Sequence, residues 1–202
     1  MLNFESTSNL QQSLITIERP FTDQKPGTSG LRKSTKHFEQ AHYLEIFIEA
    51  IFQVLPNIKG GTLIVGGDGR YGNIRAIDII LRMAAAHGLA RVITTTEGIL
   101  STPAASHLIR TNFAIGGIIL SASHNSGGPD GDFGVKLNSS NGGPASASLT
   151  DQIYECTKKL TEYSIVNKTE IPLDKSTNQY SIDSMKVNII DGVEDYLNLM
   201  QT

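Results

Sequence analysis

Cysteine is nearly absent from this chain of 202 residues. Cys156 stands alone, which excludes an internal disulfide framework and a zinc site built on cysteines. Long apolar runs are missing as well. No stretch approaches the ~18 residues that cross a bilayer, so no membrane span is expected. The opening MLNFESTSNLQQ has no basic segment leading into a long apolar one and does not read as a secretory signal. Without a secretory route, the sequons Asn138-Ser139-Ser140 and Asn167-Lys168-Thr169 read as chance matches. An excess of basic charge is lacking too: the formal net charge is −3, and scattered lysines and arginines leave no footprint for nucleic acid. No internal repeat is present. These absences point to a soluble cytoplasmic protein.

What is there is an ordinary globular composition, 39% apolar and 18% charged, on a length slightly above one typical domain. A chain of this size buries roughly 70% of its unfolded surface, enough for a core of its own. LITIERP reads as a short strand ended by Pro20. The following DQKPGTSGLRK reads as a loop carrying three cations, Lys25, Arg32 and Lys33. From Gln40 to Leu55 apolar residues recur every three or four positions until Pro56, which predicts a helix. Thr62–Val65 is a strand broken by Gly66-Gly67-Asp68-Gly69-Arg70. Ile74, Ile77, Ile80, Leu81 and Ala84 then mark a helix capped by Gly88, and Arg91–Thr95 reads as the next strand. Strand, helix and strand at this spacing form a βαβ unit with parallel strands.

Ser101-Thr102-Pro103 supplies an N-cap and an early-turn proline for a short helix to Arg110. Ala114–Leu120 is apolar on both faces and predicts a central strand, whereas Val135–Asn138 reads as an edge strand. Ser148–Tyr163 predicts a helix with Ile153, Cys156, Leu160 and Tyr163 on one stripe. Residues 164–184 are polar and weakly patterned. A strand over Met185–Ile190 and an apolar stripe of Val193, Tyr196, Leu197 and Met200 end the chain. The sum predicts an α/β protein with parallel strands.

The chemistry gathers where the central strand stops, in LSASHNSGGPDGDFGVKLN over Leu120–Asn138. In open α/β sheets ligands bind beyond the carboxyl ends of the strands. Gly127, Gly128, Gly131 and Gly134 leave backbone N–H groups free to face an anion. A hydrolase elbow needs G-x-S-x-G, and the frame here is S-A-S-H-N; a P-loop needs G-x-x-x-x-G-K-[ST], which no window supplies. A serine that carries a phosphoryl group needs cations, N–H donors and alignment rather than a strong base. Lys136 and the cations of GTSGLRK suit that demand.

SASHNSGGPDGDFGVK closely resembles the active-serine loop of the α-D-phosphohexomutases of the eukaryotic phosphoglucomutase type, T-A-S-H-N-P-G-G-P-x-G-D-F-G-[IV]-K. DQKPGTSGLRK, TLIVGGDGR, GILSTPA and KLNSSNGGPA match in the same order, and the likeness runs from about Asp23 to about Leu197. The resemblance implies a three-layer α/β/α sandwich with a mixed, largely parallel sheet, and it implies that Ser123 carries the phosphoryl group. It implies that His124 and Lys136 are acid–base and phosphate-contacting residues, and that Thr28, Ser29, Arg32 and Asn125, with Lys136, contact the phosphosugar. It further implies Mg²⁺ bound through the phosphate of Ser123, and glucose 1,6-bisphosphate as activator and intermediate. Glucose rather than mannose rests on the resemblance alone.

Two departures stand out. Ser126 replaces the proline after S-H-N, which loosens the turn. The D-G-D-G-D-R metal loop, the G-E-E-S-x-G sugar loop and the C-terminal phosphate loop of the family are not in this sequence. Residues 1–20 are therefore expected to be an extension with a short strand, residues 21–197 the first of the family's domains, and 198–202 a tail leading to domains II–IV. The expected function is that of a phosphoglucomutase present as its serine-bearing domain and not competent alone. The alternative is a non-catalytic scaffold of the parafusin or adhesion type. Plainer roles are expected for the remaining polar residues. Arg70 reads as a surface or interdomain charge, Asp130 and Asp132 as turn formers, Cys156 as an inert small hydrophobe, and His37, His42, His87 and His107 as packing or surface residues.

Overall fold

A run of Ile, Leu and Val in three neighbouring strands sets the architecture, because strands this apolar must be covered on both faces. The computed structural model describes residues 11–167, 173 and 178–201. Its elements begin with β1 (Gln12–Thr16), β2 (Leu31–Ser34), α1 (Thr35–Phe38), α2 (Tyr43–Val54), β3 (Thr62–Gly67), α3 (Asn73–Ala86) and β4 (Arg91–Thr95). They continue with α4 (Thr102–Thr111), β5 (Gly116–Leu120), β6 (Asp132–Ser139), α5 (Ala147–Thr157), β7 (Glu162–Val166), β8 (Gln179–Ile182), β9 (Met185–Ile190) and α6 (Glu194–Met200).

Seven strands form one mixed sheet in the order β2-β6-β5-β3-β4-β9-β8. The pairs β3–β4, β3–β5 and β4–β9 are parallel, whereas β5–β6, β2–β6 and β8–β9 are antiparallel. Every residue of β5 is buried. On one face Leu63, Val65, Ile118, Leu120 and Val135 pack against Ile48 and Ile51 of α2, Ile77 and Ile80 of α3, and Ile153 of α5. On the other face Ile64, Ile93 and Ile119 meet Ala104, Ala105, Leu108 and Ile109 of α4. Helix, sheet and helix thus make three layers, as the resemblance implies. Each fully buried Leu or Ile contributes about 1.5–3 kcal/mol relative to exposure.

The predicted punctuation holds where it rests on capping chemistry. Ser101 Oγ accepts the Ala104 N–H at 3.3 Å, with Pro103 in the first turn of α4. α3 ends before Gly88, which sits at φ +73°. α2 stops at Val54, short of Pro56.

Three expectations are corrected. β6 is an inner strand, paired with β5 on one side and β2 on the other; β2 is the edge. The GTSGLRK segment read as loop hides that edge, because LRKS shows no alternation that marks a half-buried strand. The helix predicted through Tyr163 stops at Thr157. Tyr163 and Ile165 face the core from β7 at a spacing of two, which over so short a span mimics a continuing helical stripe. The closing stripe of α6 is also not a core stripe. Val193, Leu197 and Met200 are exposed, and Tyr196 alone packs with the α4-side cluster.

β1 does not trail free of the rest. It pairs antiparallel with β7 in a separate two-stranded sheet, Gln12 opposite Val166 and Thr16 opposite Glu162. Parts of the expected N-terminal extension, of the polar segment 164–184 and of the sequon at Asn167-Lys168-Thr169 lie outside the described residues, as does the last residue of the tail.

Candidate functional site

β5 delivers the serine loop to the carboxyl end of the parallel strands, in the place where such sheets bind ligands. Ser121 N–H bonds Gly134 O at 2.9 Å, so the loop leaves β5 still fastened to β6. Gly134 allows this approach: a Cβ there would stand 2.3 Å from Ser121 O. Ala122 is buried while Ser123 and His124 are exposed. Ser123 sits at φ +59°, a left-handed conformation that costs a residue with a Cβ and must be held by its surroundings.

Two arms hold it. The first comes from the β3–α3 turn. Arg70, read from sequence as a surface or interdomain charge, has a side chain only 7% exposed. Its guanidinium grips both oxygens of Asp68 at 2.8–3.0 Å and donates to Asp132 O at 2.7 Å and Ser123 O at 3.2 Å. Asp68 Oδ2 accepts from Ser121 Oγ at 2.7 Å, and Ser121 Oγ accepts the Ser123 N–H at 2.9 Å. Burial pushes the Asp68 carboxyl up, but hydrogen bonds from Arg70 and Ser121 and the Arg70 charge outweigh it and hold Asp68 below the ordinary range. The second arm is Thr35, at the start of α1. Its N–H bonds Gly131 O at 2.8 Å and its hydroxyl bonds Gly128 O at 2.8 Å, while Lys36 pairs with Asp130 at 2.6 Å.

Within the loop Asn125 Nδ2 donates to Asp132 Oδ2 at 2.8 Å, so the amide expected to meet substrate here braces the loop. The Asp132 N–H bonds Ser126 O at 2.8 Å, a closure through the backbone that does not depend on the identity of residue 126.

The cations stand on the neighbouring strands. Arg32 is opposite Gly134, and Lys136 is two residues further along β6. The two-residue alternation of strands therefore puts both on one face of the sheet. Arg32, Gly134 and Ser121 form one row across adjoining strands, about 4.8 Å apart per strand. Arg32 Nε is buried and has no hydrogen-bond partner among the described residues. Burial pulls the Lys136 ammonium below the ordinary lysine value, and the Arg32 charge adds to it. The other two cations of the first loop are engaged elsewhere: Lys33 pairs with Asp23 at 3.3 Å, and Lys25 stands 5.9 Å from the Tyr154 ring centroid. Thr28 and Ser29 are exposed at a tight turn closed by reciprocal Gly27–Gly30 hydrogen bonds of 3.0 and 3.1 Å. Gly30, at φ +89°, lets that turn press on β6, since a Cβ would lie 2.3 Å from Val135 O.

The resemblance implies Mg²⁺, but these residues do not form a cage for it. Among the described residues no group of three or more His, Cys, Asp or Glu side chains converges, and Asp130 and Asp132 are already engaged. Three of the five histidines have local partners: His37 with Asp23 at 3.0 Å, His42 with Tyr163 at 2.9 Å, His87 with Glu49 at 2.8 Å. Burial and the Glu49 charge push the Cys156 thiol up, which suits an unreactive cysteine. No helix of the described residues is long and apolar enough to cross a membrane.

Sequence reasoning singled out the serine, its histidine and the cations near this strand end and did not single out Arg70 and Asp68 as the groups that hold the loop. The signal available was the proximity of GGDGR to a strand end, where βα turns of parallel sheets gather around one crevice.

Comparison with known proteins places these features in context. Residues 23–164 match the family described as phosphoglucomutase/phosphomannomutase, alpha/beta/alpha domain I. A phosphoglucomutase of Rhizobium radiobacter is 50% identical over 182 residues, covering 90% of this chain and 33% of its own. One of Schizosaccharomyces pombe is 50% identical over 185 residues, covering 91% and 33%. The open form of the Paramecium exocytosis-sensitive phosphoprotein pp63/parafusin, a phosphoglucomutase, superposes with a TM-score of 0.87 at 42% identity, over 94% of this chain and 36% of that one. The chain thus spans about a third of the length of these relatives.

Proposed function

The chain belongs to the phosphoglucomutase/phosphomannomutase family, matching the alpha/beta/alpha domain I, and from that premise we propose that it is the phosphoserine-bearing portion of a cytoplasmic phosphoglucomutase. Residues 21–197 act as the first domain, and the remaining domains of the enzyme complete the site. Ser123 carries a phosphoryl group and passes it to the 6-hydroxyl of glucose 1-phosphate. The resulting glucose 1,6-bisphosphate then returns the phosphoryl of its 1-position to the same oxygen and leaves glucose 6-phosphate. A phosphoserine brings a charge of about −1.5 to −2 at neutral pH. Arg32 and Lys136 offset that charge, with Thr28 and Ser29 at the rim. His124 and Lys136 move the proton of the sugar hydroxyl, a role helped by the lowered affinity of Lys136 for its proton. One ligand to Mg²⁺ from this chain would be the serine phosphate.

The observation that carries the reading is the exposed Ser123, held at φ +59° at the end of the central strand, beside a cationic face whose Arg32 Nε lacks a partner among the described residues. The test is incubation of the chain with labelled glucose 1,6-bisphosphate, with the phosphate located by mass spectrometry. Label on Ser123, and none in Ser123→Ala, is the expected outcome; label that persists in Ser123→Ala overturns the assignment. A coupled glucose 6-phosphate assay on the 202-residue chain should show no turnover, and measurable turnover would contradict the need for further domains. The likeness to an exocytosis-sensitive phosphoprotein favours a second reading, a binding protein on the same fold. That reading predicts no transfer of label to the serine.

A further inference from the structure

Resting on the reading of Ser123 as phosphoryl acceptor, we infer that Arg70 and Asp68 are positioning residues that fix the Ser123 peptide at both ends through Ser121. Arg70 Nη2 holds the carbonyl of Ser123 at 3.2 Å. The N–H of the same residue is held at 2.9 Å by Ser121 Oγ, whose own proton is committed to Asp68 Oδ2 at 2.7 Å. The two anchors are one ion pair, since Asp68 and Arg70 meet at 2.8 Å. A left-handed serine has few ways to hold its conformation without neighbours. Here both polar groups of its backbone are tied to a single rigid unit, so the direction of the Cα–Cβ bond, and with it the seat of Oγ, is set from the β3–α3 turn.

Charge and shape explain why the unit is built this way. A bare carboxylate so near a phosphoserine would repel it; the bidentate guanidinium cancels that charge locally. Four of the five guanidinium N–H groups are taken, by Asp68, Asp132 O and Ser123 O, so Arg70 is committed chiefly to holding the loop. Phosphate contact is left mainly to Arg32, whose Nε is unpartnered among the described residues. The planar fork of arginine reaches one carboxylate and two carbonyls together, and the single ammonium of lysine does not reproduce this.

The test uses the full 202-residue chain with phosphoserine installed co-translationally at position 123, as wild type, Ser121→Ala and Arg70→Lys. The readouts are amide exchange at residue 123, the ³¹P resonance of the phosphoserine, and the melting temperature. Ser121→Ala is expected to speed exchange of that amide by about tenfold, the equivalent of one ordinary hydrogen bond, with little change in melting. Arg70→Lys is expected to shift the ³¹P resonance even though charge is conserved. If both variants leave exchange and resonance as in wild type, or if these move only in step with global unfolding, the inference is overturned. Should Arg70→Lys fail to fold, Ser121→Ala still decides. The labelling of unmodified wild type by glucose 1,6-bisphosphate is read separately, so loss of the mutase reading and loss of the clamp give different results.

Discussion

Glu49 on α2 is 4% exposed, yet it carries a carboxylate. Burial alone would raise its pKa, but hydrogen bonds from His87 and Gln53, the His87 charge and the Ser164 N–H outweigh that and hold it below the ordinary value. A depressed carboxyl contributes stability at pH values above its unfolded pKa, and that contribution is lost as pH falls through the folded one. Glu49→Gln should therefore lower stability at pH 7 by about 1–3 kcal/mol, the usual cost of leaving buried donors unsatisfied. The gap between wild type and variant should narrow as pH falls from about 4.3, the ordinary glutamate value, through the lower folded one. Thermal melts across pH check the sign: a gap that widens on acidification would contradict it. Single residues also mark how far a sequence can be read. Ser123 and His124 stand out as candidates by their place between an apolar strand and a glycine loop. Arg70 does not, because its burial arises only when residues 68, 70, 121, 123 and 132 are closed together by the fold.

At the scale of elements, the junction of β5 and β6 governs the loop. Gly134→Ala would set a methyl group 2.3 Å from Ser121 O, a backbone atom with no rotamer to escape into. Loss of about 1–3 kcal/mol is expected from that overpacking, together with a changed amide resonance at residue 123, measured by melting and NMR. Ser101→Ala should cost about 1 kcal/mol through loss of the α4 cap while leaving the serine loop untouched. The elements read well from sequence are those with local signals: α3 with its terminal glycine, α4 with its serine cap, and β5 as an unbroken apolar run. β2 escaped notice because an edge strand of four residues with two cations presents no pattern of its own. Its place is set by pairing with β6, a partner about a hundred residues further along, and that pairing is what turns β6 into an inner strand.

For the molecule as a whole, the parallel strands β3, β4 and β5 form the most deeply buried unit, and hydrogen exchange should find their amides slowest. The β1–β7 ribbon and α6, with Val193, Leu197 and Met200 exposed, should open first. Equal protection across both groups would contradict this gradient. The sheet also has an end that must be kept from other chains. Among the described residues one side of β2 is without a partner strand, and unpaired strand edges invite addition of further strands and aggregation. Arg32 and Lys33 occupy the middle of that edge, where positive charge discourages another strand from docking. The arginine proposed to meet phosphate also stands on this edge, so Arg32→Ala is expected to yield more aggregated protein as well as weaker anion contact.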